Sequence, residues 1–149
     1  MSAMRNLSFN LPKRKRFSID GDESRYVEID TGDTGIVARW NEVQEYFMKA
    51  AQELEQLSAG AQTEEQAFEA SKRFQEIDKG VREKLNYLFD ADVCTPIAGN
   101  GALIRLIEGE PLFMLIIETI APLYEADIKL EYEKGRKRIE KHTAKYAAK

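Results

Sequence analysis

Two runs of apolar residues repeat with a period near 3.5 and limit what this chain can become. In the first, Ile36, Trp40, Val43, Phe47, Ala50, Leu54 and Leu57 follow at alternating spacings of four and three. In the second, Ala67, Ala70, Phe74, Ile77, Val81, Leu85 and Leu88 do nearly the same. Such a seam puts one narrow apolar face along a helix and no apolar face along a strand. Thr31-Gly32-Asp33-Thr34 opens the first helix, with Asp33 or Thr34 as N-cap, and the helix is expected over 34–58. Ser58-Ala59-Gly60 closes it, with Gly60 suited to a left-handed C′ position. Thr63 to Gln66 has the spacing of a capping box, and the second helix should run to Phe89. So short a connection favours an antiparallel αα-hairpin with the two seams facing. Gly80 interrupts the second helix at a cost of about 1 kcal/mol relative to Ala.

The flanks read differently. Residues 1–14 look like a flexible basic arm. Arg16–Asp20 and Arg25–Asp30 are strand candidates, and Gly21–Ser24 supplies turn chemistry, so a β-hairpin is expected against the helices. Pro96, Gly99 and Gly101 make 90–101 a loop. A short helix is expected over 102–108. Pro111 starts a long C-terminal helix that should kink or break near Pro122 and continue to about Tyr146. The fold class is therefore mainly α: an N-terminal β-hairpin, an αα-hairpin, a loop with a short helix, and a long C-terminal helix. A single domain is expected over 15–133, followed by a basic helical tail over 134–149.

Leu112 to Ile117 are six consecutive apolar residues. They cannot all face one small core, so this helix lies centrally or shows one face to another chain. Leu112, Phe113, Leu115, Ile116 and Ile120 are the candidate partner-binding residues.

Charge is divided along the chain. Residues 1–16 hold five basic groups and no acidic one, and residues 134–149 hold seven basic groups and one acidic. The 117 residues between them hold ten basic and 25 acidic groups, within a net charge of −4. The tail cations Lys134, Arg136, Lys137, Arg138 and Lys141 are candidates for contact with an acidic partner, the chain's own acidic body, or nucleic acid. The plain alternative is a solvated helix end whose cations oppose the macrodipole. Nucleic acid is disfavoured because the net charge repels phosphate and the tail has little besides Tyr146 to stack on a base.

Catalysis finds little support. The chain has one histidine, His142, and one cysteine, Cys94. Two such residues fall short of the four ligands of a structural zinc site. Asp90 and Asp92 are not followed by the later ligands of a calcium loop. There is no phosphate-binding glycine loop. No catalytic residue, cofactor or metal is expected. The 43% apolar content excludes a fully disordered chain. One cysteine excludes an internal disulfide. The apolar stretch Pro111–Tyr124 is too short, and broken by Glu118, for a membrane span.

The order of these parts resembles the small tail assembly chaperones of long-tailed phages and prophages of Gram-positive bacteria. The resemblance rests on the Phe17–Asp30 hairpin with its acidic exit, the charged helix bearing Trp40 and Phe47, and the ending Tyr87-Leu88-Phe89-Asp90. It rests further on the loop Asp92-Val93-Cys94 to Gly99-Asn100, a short helix ending at Gly109, and the final helix running into Lys134–Lys145. It covers about residues 16–146 and departs at Ala98, where relatives often carry an aromatic residue. It implies a non-enzymatic protein of the bacterial host cytoplasm that binds the tape-measure protein. That partner would stay soluble while the tail tube assembles, and the chaperone would be absent from the finished virion. It also implies possible self-association and a longer frameshifted form of the same protein.

Overall fold

The computed structural model describes residues 3–147, with side chains through Lys145. Eight elements follow in order: β1 (Lys15–Ile19), β2 (Asp22–Ile29), α1 (Ile36–Gly60), α2 (Glu64–Phe89), α3 (Cys94–Ala98), β3 (Leu106–Ile107), β4 (Glu110–Pro111) and α4 (Leu112–Ala147). The chain is mainly helical, with the hairpin at its N-terminal end and the long helix at its C-terminal end.

The two seams pack as their spacing demands. Val43, Phe47, Ala50 and Leu54 of α1 are buried, as are Ala70, Ile77, Val81, Leu85 and Leu88 of α2. Ala67, at the start of the second seam, stays exposed. The capping box forms in full: Gln66 N–H donates to Thr63 Oγ1 at 3.1 Å, and the Gln66 side chain accepts from Thr63 N–H at 3.2 Å. Neither Asp33 nor Thr34 is the N-cap of α1: the cap position is Gly35, and the Asp33 carboxylate accepts from Gly35 N–H at 2.9 Å one turn outside the helix. Gly60 does not take a left-handed turn. It remains the last helical residue, and extended Ala61 ends the helix.

Gly80 has a steric purpose. A Cβ there would lie 1.8 Å from Tyr46 Oη and 2.9 Å from its Cζ, so the tyrosine of α1 sits directly on the glycine of α2. Gly80→Ala is therefore expected to lower stability by about 1 kcal/mol, because displacing Tyr46 outweighs the gain in helix propensity. In a Tyr46→Ala background the same change should raise stability by about 1 kcal/mol. Urea unfolding of the four proteins checks this, and the same sign in both backgrounds would refute the steric role.

The hairpin turns more tightly than expected. Asp20 and Gly21 both adopt positive φ, 51° and 77°, and β2 begins at Asp22 rather than Arg25. This two-residue Asp-Gly connection matches the right-handed twist of the strands. Phe17 pairs with Val27 and Lys15 with Ile29. Val27 and Ile29 are buried, and Phe17 and Ile19 pack at the edge of the same core.

The segment after α2 departs most from expectation. Residues 102–108 are not helical; Leu106–Ile107 pairs with Glu110–Pro111 around Glu108 and Gly109, both at positive φ. The short helix lies earlier, at Cys94–Ala98, with Pro96 in its first turn, where a missing N–H costs nothing. α4 runs without a break through Pro122. Phe113, Ile116, Ile117, Ile120 and Tyr124 of α4 join the same buried cluster as Val27 and Ile29 of the hairpin and the seams of α1 and α2. Phe47 stacks on Phe113 with ring centroids 5.9 Å apart, and Trp40 stacks on Phe47 at 6.4 Å.

Candidate partner-binding surface

The central placement of α4 decides between the two readings of its apolar start. Phe113, Ile116 and Ile120 are core residues, 0%, 3% and 5% exposed, and offer a partner nothing. Leu112 and Leu115 are half-buried. The candidate surface therefore shifts along the helix.

It lies where α4 leaves the core. Ile36, Val37 and Trp40 of α1 face Ile117, Ala121, Tyr124 and Ile128 of α4 across an apolar groove of about 370 Å³, with Leu88 also lining it. Ile128 also lines a second depression of about 590 Å³, with Gly32, Thr34, Tyr132, Gly135 and Ile139. On α4 the lining residues 117, 121, 124, 128, 132, 135 and 139 recur every three or four positions and form one stripe, of which Ile117 and Tyr124 are buried floor and the accessible part begins at Ala121 and Ile128. The stripe extends about 33 Å at the rise of an α-helix. Its first half is walled by α1. Its second half stands clear, and Tyr132 and Ile139 are each 67% exposed. Glu125 lines the groove, and Glu131, Arg136 and Glu140 line the second depression.

Polar side chains hold the groove's walls in place. Tyr124 donates its hydroxyl to Phe89 carbonyl at 3.1 Å, and burial pushes its pKa up to about 12, so it stays a neutral donor. Arg39 reaches across to Leu88 carbonyl and to Asp33, both at 2.9 Å. Asp127 accepts from Lys15 Nζ at 2.8 Å and from the buried Thr31 hydroxyl. These two hydrogen bonds, Lys15 first, hold its carboxyl below the usual carboxylate range. A carboxyl depressed in the folded state contributes stability at neutral pH, which is lost as pH falls through the lowered pKa.

The N-terminal cations are engaged with the body. Arg14 donates to Asp90 carbonyl at 2.8 Å and to its carboxylate at 3.3 Å, Lys15 pairs with Asp127, and Arg16 with Glu28 at 3.7 Å. The tail is arranged otherwise. Lys134 pairs with Glu131 at 3.4 Å, while Arg136, Lys137, Arg138 and Lys141 are exposed on α4. The side chain of Tyr146 and all of Lys149 lie outside the described residues.

Cys94 is fully buried on α3, and burial pushes its thiol up to about 12, which leaves almost no thiolate at neutral pH. In the native protein it is expected to react with a thiol reagent at least about a hundredfold more slowly than in guanidinium chloride. Equal rates would refute the buried placement. Among the described residues no three His, Cys, Asp or Glu side chains gather as a metal site. No helix among the described residues is long and apolar enough to cross a membrane.

Sequence reasoning missed the residues that shape the segment between α2 and α4. Asp78 accepts from Leu103 N–H at 2.6 Å and Ile104 N–H at 3.3 Å. Arg82 donates to Gly101 carbonyl at 3.0 Å, and Asn86 Oδ1 accepts from Val93 N–H at 3.0 Å. All three stand on α2 at spacings of four, the only signal that could have singled them out.

No family model matches this chain, and no curated protein and no solved structure is detectably similar to it.

Proposed function

We propose that this chain is a non-enzymatic tail assembly chaperone. It would hold a helix of the phage or prophage tape-measure protein in the groove between α1 and α4. The observation that carries the reading is the stripe itself, which is apolar and continues from a walled groove onto the exposed half of α4. An amphipathic helix buries one face in such a groove through residues spaced three and four apart, and a tape-measure protein is long, helical and prone to aggregate. The acidic body would keep the complex soluble. The order of elements named in the sequence also supports the reading, apart from the short helix ending at Gly109, which is a tight hairpin. On this reading the protein acts in the host cytoplasm, leaves before the virion is complete, and has a longer frameshifted form as a second possible partner.

The nucleic-acid alternative is weakened because Arg14, Lys15 and Arg16 are all engaged with the chain's own carboxylates.

Co-expression tests the proposal. The neighbouring tape-measure protein should be several-fold more soluble with this chain than without it, and the two should co-purify. Tyr132→Asp with Ile139→Asp should abolish both effects at unchanged melting temperature. Unchanged solubility and no co-purification would overturn the proposal.

A further inference from the structure

From Ile128 onward the stripe on α4 keeps a seven-residue register. Ile128 and Gly135 take the d positions of a heptad, and Tyr132 and Ile139 take the a positions. The e and g positions beside such a seam meet the flanks of a partner helix and set which helix is accepted. Here e falls on Lys129, Arg136 and Thr143, and g on Glu131, Arg138 and Lys145. All six are exposed. Glu131 is already paired with Lys134 at 3.4 Å. Four cations therefore border the seam against one carboxylate that has a partner. At about 100° per residue, Arg136 and Arg138 stand on opposite sides of it. Glu133 and Glu140 fall further round, at b.

Gly135 is a second, independent feature. It lies well inside α4, where glycine is among the weakest helix formers. Gly80 is kept small by Tyr46, but a Cβ at Gly135 would meet nothing in its own chain within 4 Å, and its φ is not positive. Neither packing nor backbone conformation within this chain calls for a glycine there. Between Tyr132 and Ile139 it leaves an open seat in the seam, and it lines the second depression. Knobs-into-holes packing places a partner's side chain at such a point. A second copy of this chain fits poorly, because paired α4 seams would set cations against cations. A phosphate backbone would satisfy the cations and leave the apolar seam unused.

We propose that the second half of α4 selects a helix of one chemistry: an apolar heptad seam bordered by Asp or Glu at e and g, with a large apolar side chain seated on Gly135 between Tyr132 and Ile139. The inference rests on the proposed function for the identity of the partner, and it names which segment of that long helical protein is held.

Synthetic peptides test it by fluorescence anisotropy with the full chain. Two three-heptad peptides share Leu at a and d and carry Glu or Lys at every e and g; a third keeps the Glu residues and replaces Leu by Ala. At low salt the Glu peptide should bind at least about tenfold more tightly than either of the others. High salt should shrink its lead over the Lys peptide. Arg136→Glu with Arg138→Glu lies outside the core and should reverse the preference at unchanged melting temperature. Gly135→Leu should raise helicity yet weaken the Glu peptide at least about tenfold, a split that a purely structural glycine would not give. Equal binding of the Glu and Lys peptides would overturn the proposal. So would an alanine peptide as tight as the leucine one, or a duplex DNA oligonucleotide that displaces the Glu peptide and binds more tightly. A dimer of the parent that Ile139→Asp dissociates would overturn it in favour of a second copy. The peptides contain no tape-measure sequence, so the two readings fail separately. If the Glu peptide binds as described and the tape-measure protein does not co-purify, the chaperone reading falls and the selectivity stands. If the tape-measure protein co-purifies equally with the parent and with the Arg136→Glu, Arg138→Glu variant, the selectivity falls and the chaperone reading stands.

Discussion

Ile116→Asp is expected to abolish cooperative unfolding. Ile116 is 3% exposed and belongs to the core cluster that also holds Phe47, Leu85 and Phe113. An aspartate there must either stay charged without water or bind a proton and still lack hydrogen-bond partners. The cost is about 4 kcal/mol or more, a large part of the total stability of a domain this size. Circular dichroism should show no sharp thermal transition. The milder Ile116→Ala should retain a transition, with about 2–5 kcal/mol lost to the cavity. Tyr132→Asp, four turns further along the same helix, should change stability by less than about 0.5 kcal/mol. An Ile116→Asp protein that melts like its parent would refute the core placement of α4.

The contrast between these two positions shows how far the sequence could be read. The α1 and α2 seams were legible because each is amphipathic by itself. A period near 3.5 names the buried face without reference to any neighbour, and Thr63–Gln66 marks a helix start through local chemistry alone. The six apolar residues from Leu112 to Ile117 have no period. Whether they meet the core or another chain depends on what surrounds α4, and no local pattern contains that. The structure answers with core on the faces bearing Phe113, Ile116 and Ile117. The available surface begins further on, where Ile128, Tyr132 and Ile139 are too widely spaced among charges to stand out.

The basic ends also part company in the structure. Arg14 and Lys15 tie the start of the hairpin to Asp90 and Asp127 and Arg16 pairs with Glu28 across it, whereas Arg136, Lys137, Arg138 and Lys141 are exposed on α4.

The second large effect is expected at Asp78, where a single carboxylate substitutes for a missing helix. Residues 102–108 read as helical because Leu103, Ile104, Leu106 and Ile107 are apolar and Gly109 is a natural stop. In a helix their amides would find carbonyls one turn back. Here Leu103 N–H and Ile104 N–H donate instead to Asp78, 25 and 26 residues away on α2. Phe113 N–H then donates to Leu103 carbonyl at 3.0 Å, and Leu112 N–H to Arg105 carbonyl at 2.9 Å, which fixes where α4 begins. Asp78→Ala would leave the amide of fully buried Leu103 without a partner and release its neighbour. The expected loss is about 2–3 kcal/mol, the range for breaking hydrogen bonds to a charged group in a part-buried site. Asp78→Asn keeps an acceptor oxygen in place and should recover more than half of that loss. Urea unfolding measures the energies. Amide exchange at Leu103 and Ile104 should accelerate at least about tenfold in the alanine variant and stay slow in the asparagine variant. If alanine and asparagine destabilise equally, the carboxylate acts through its charge rather than as an acceptor for these two amides, and Asp78 does not replace the helix.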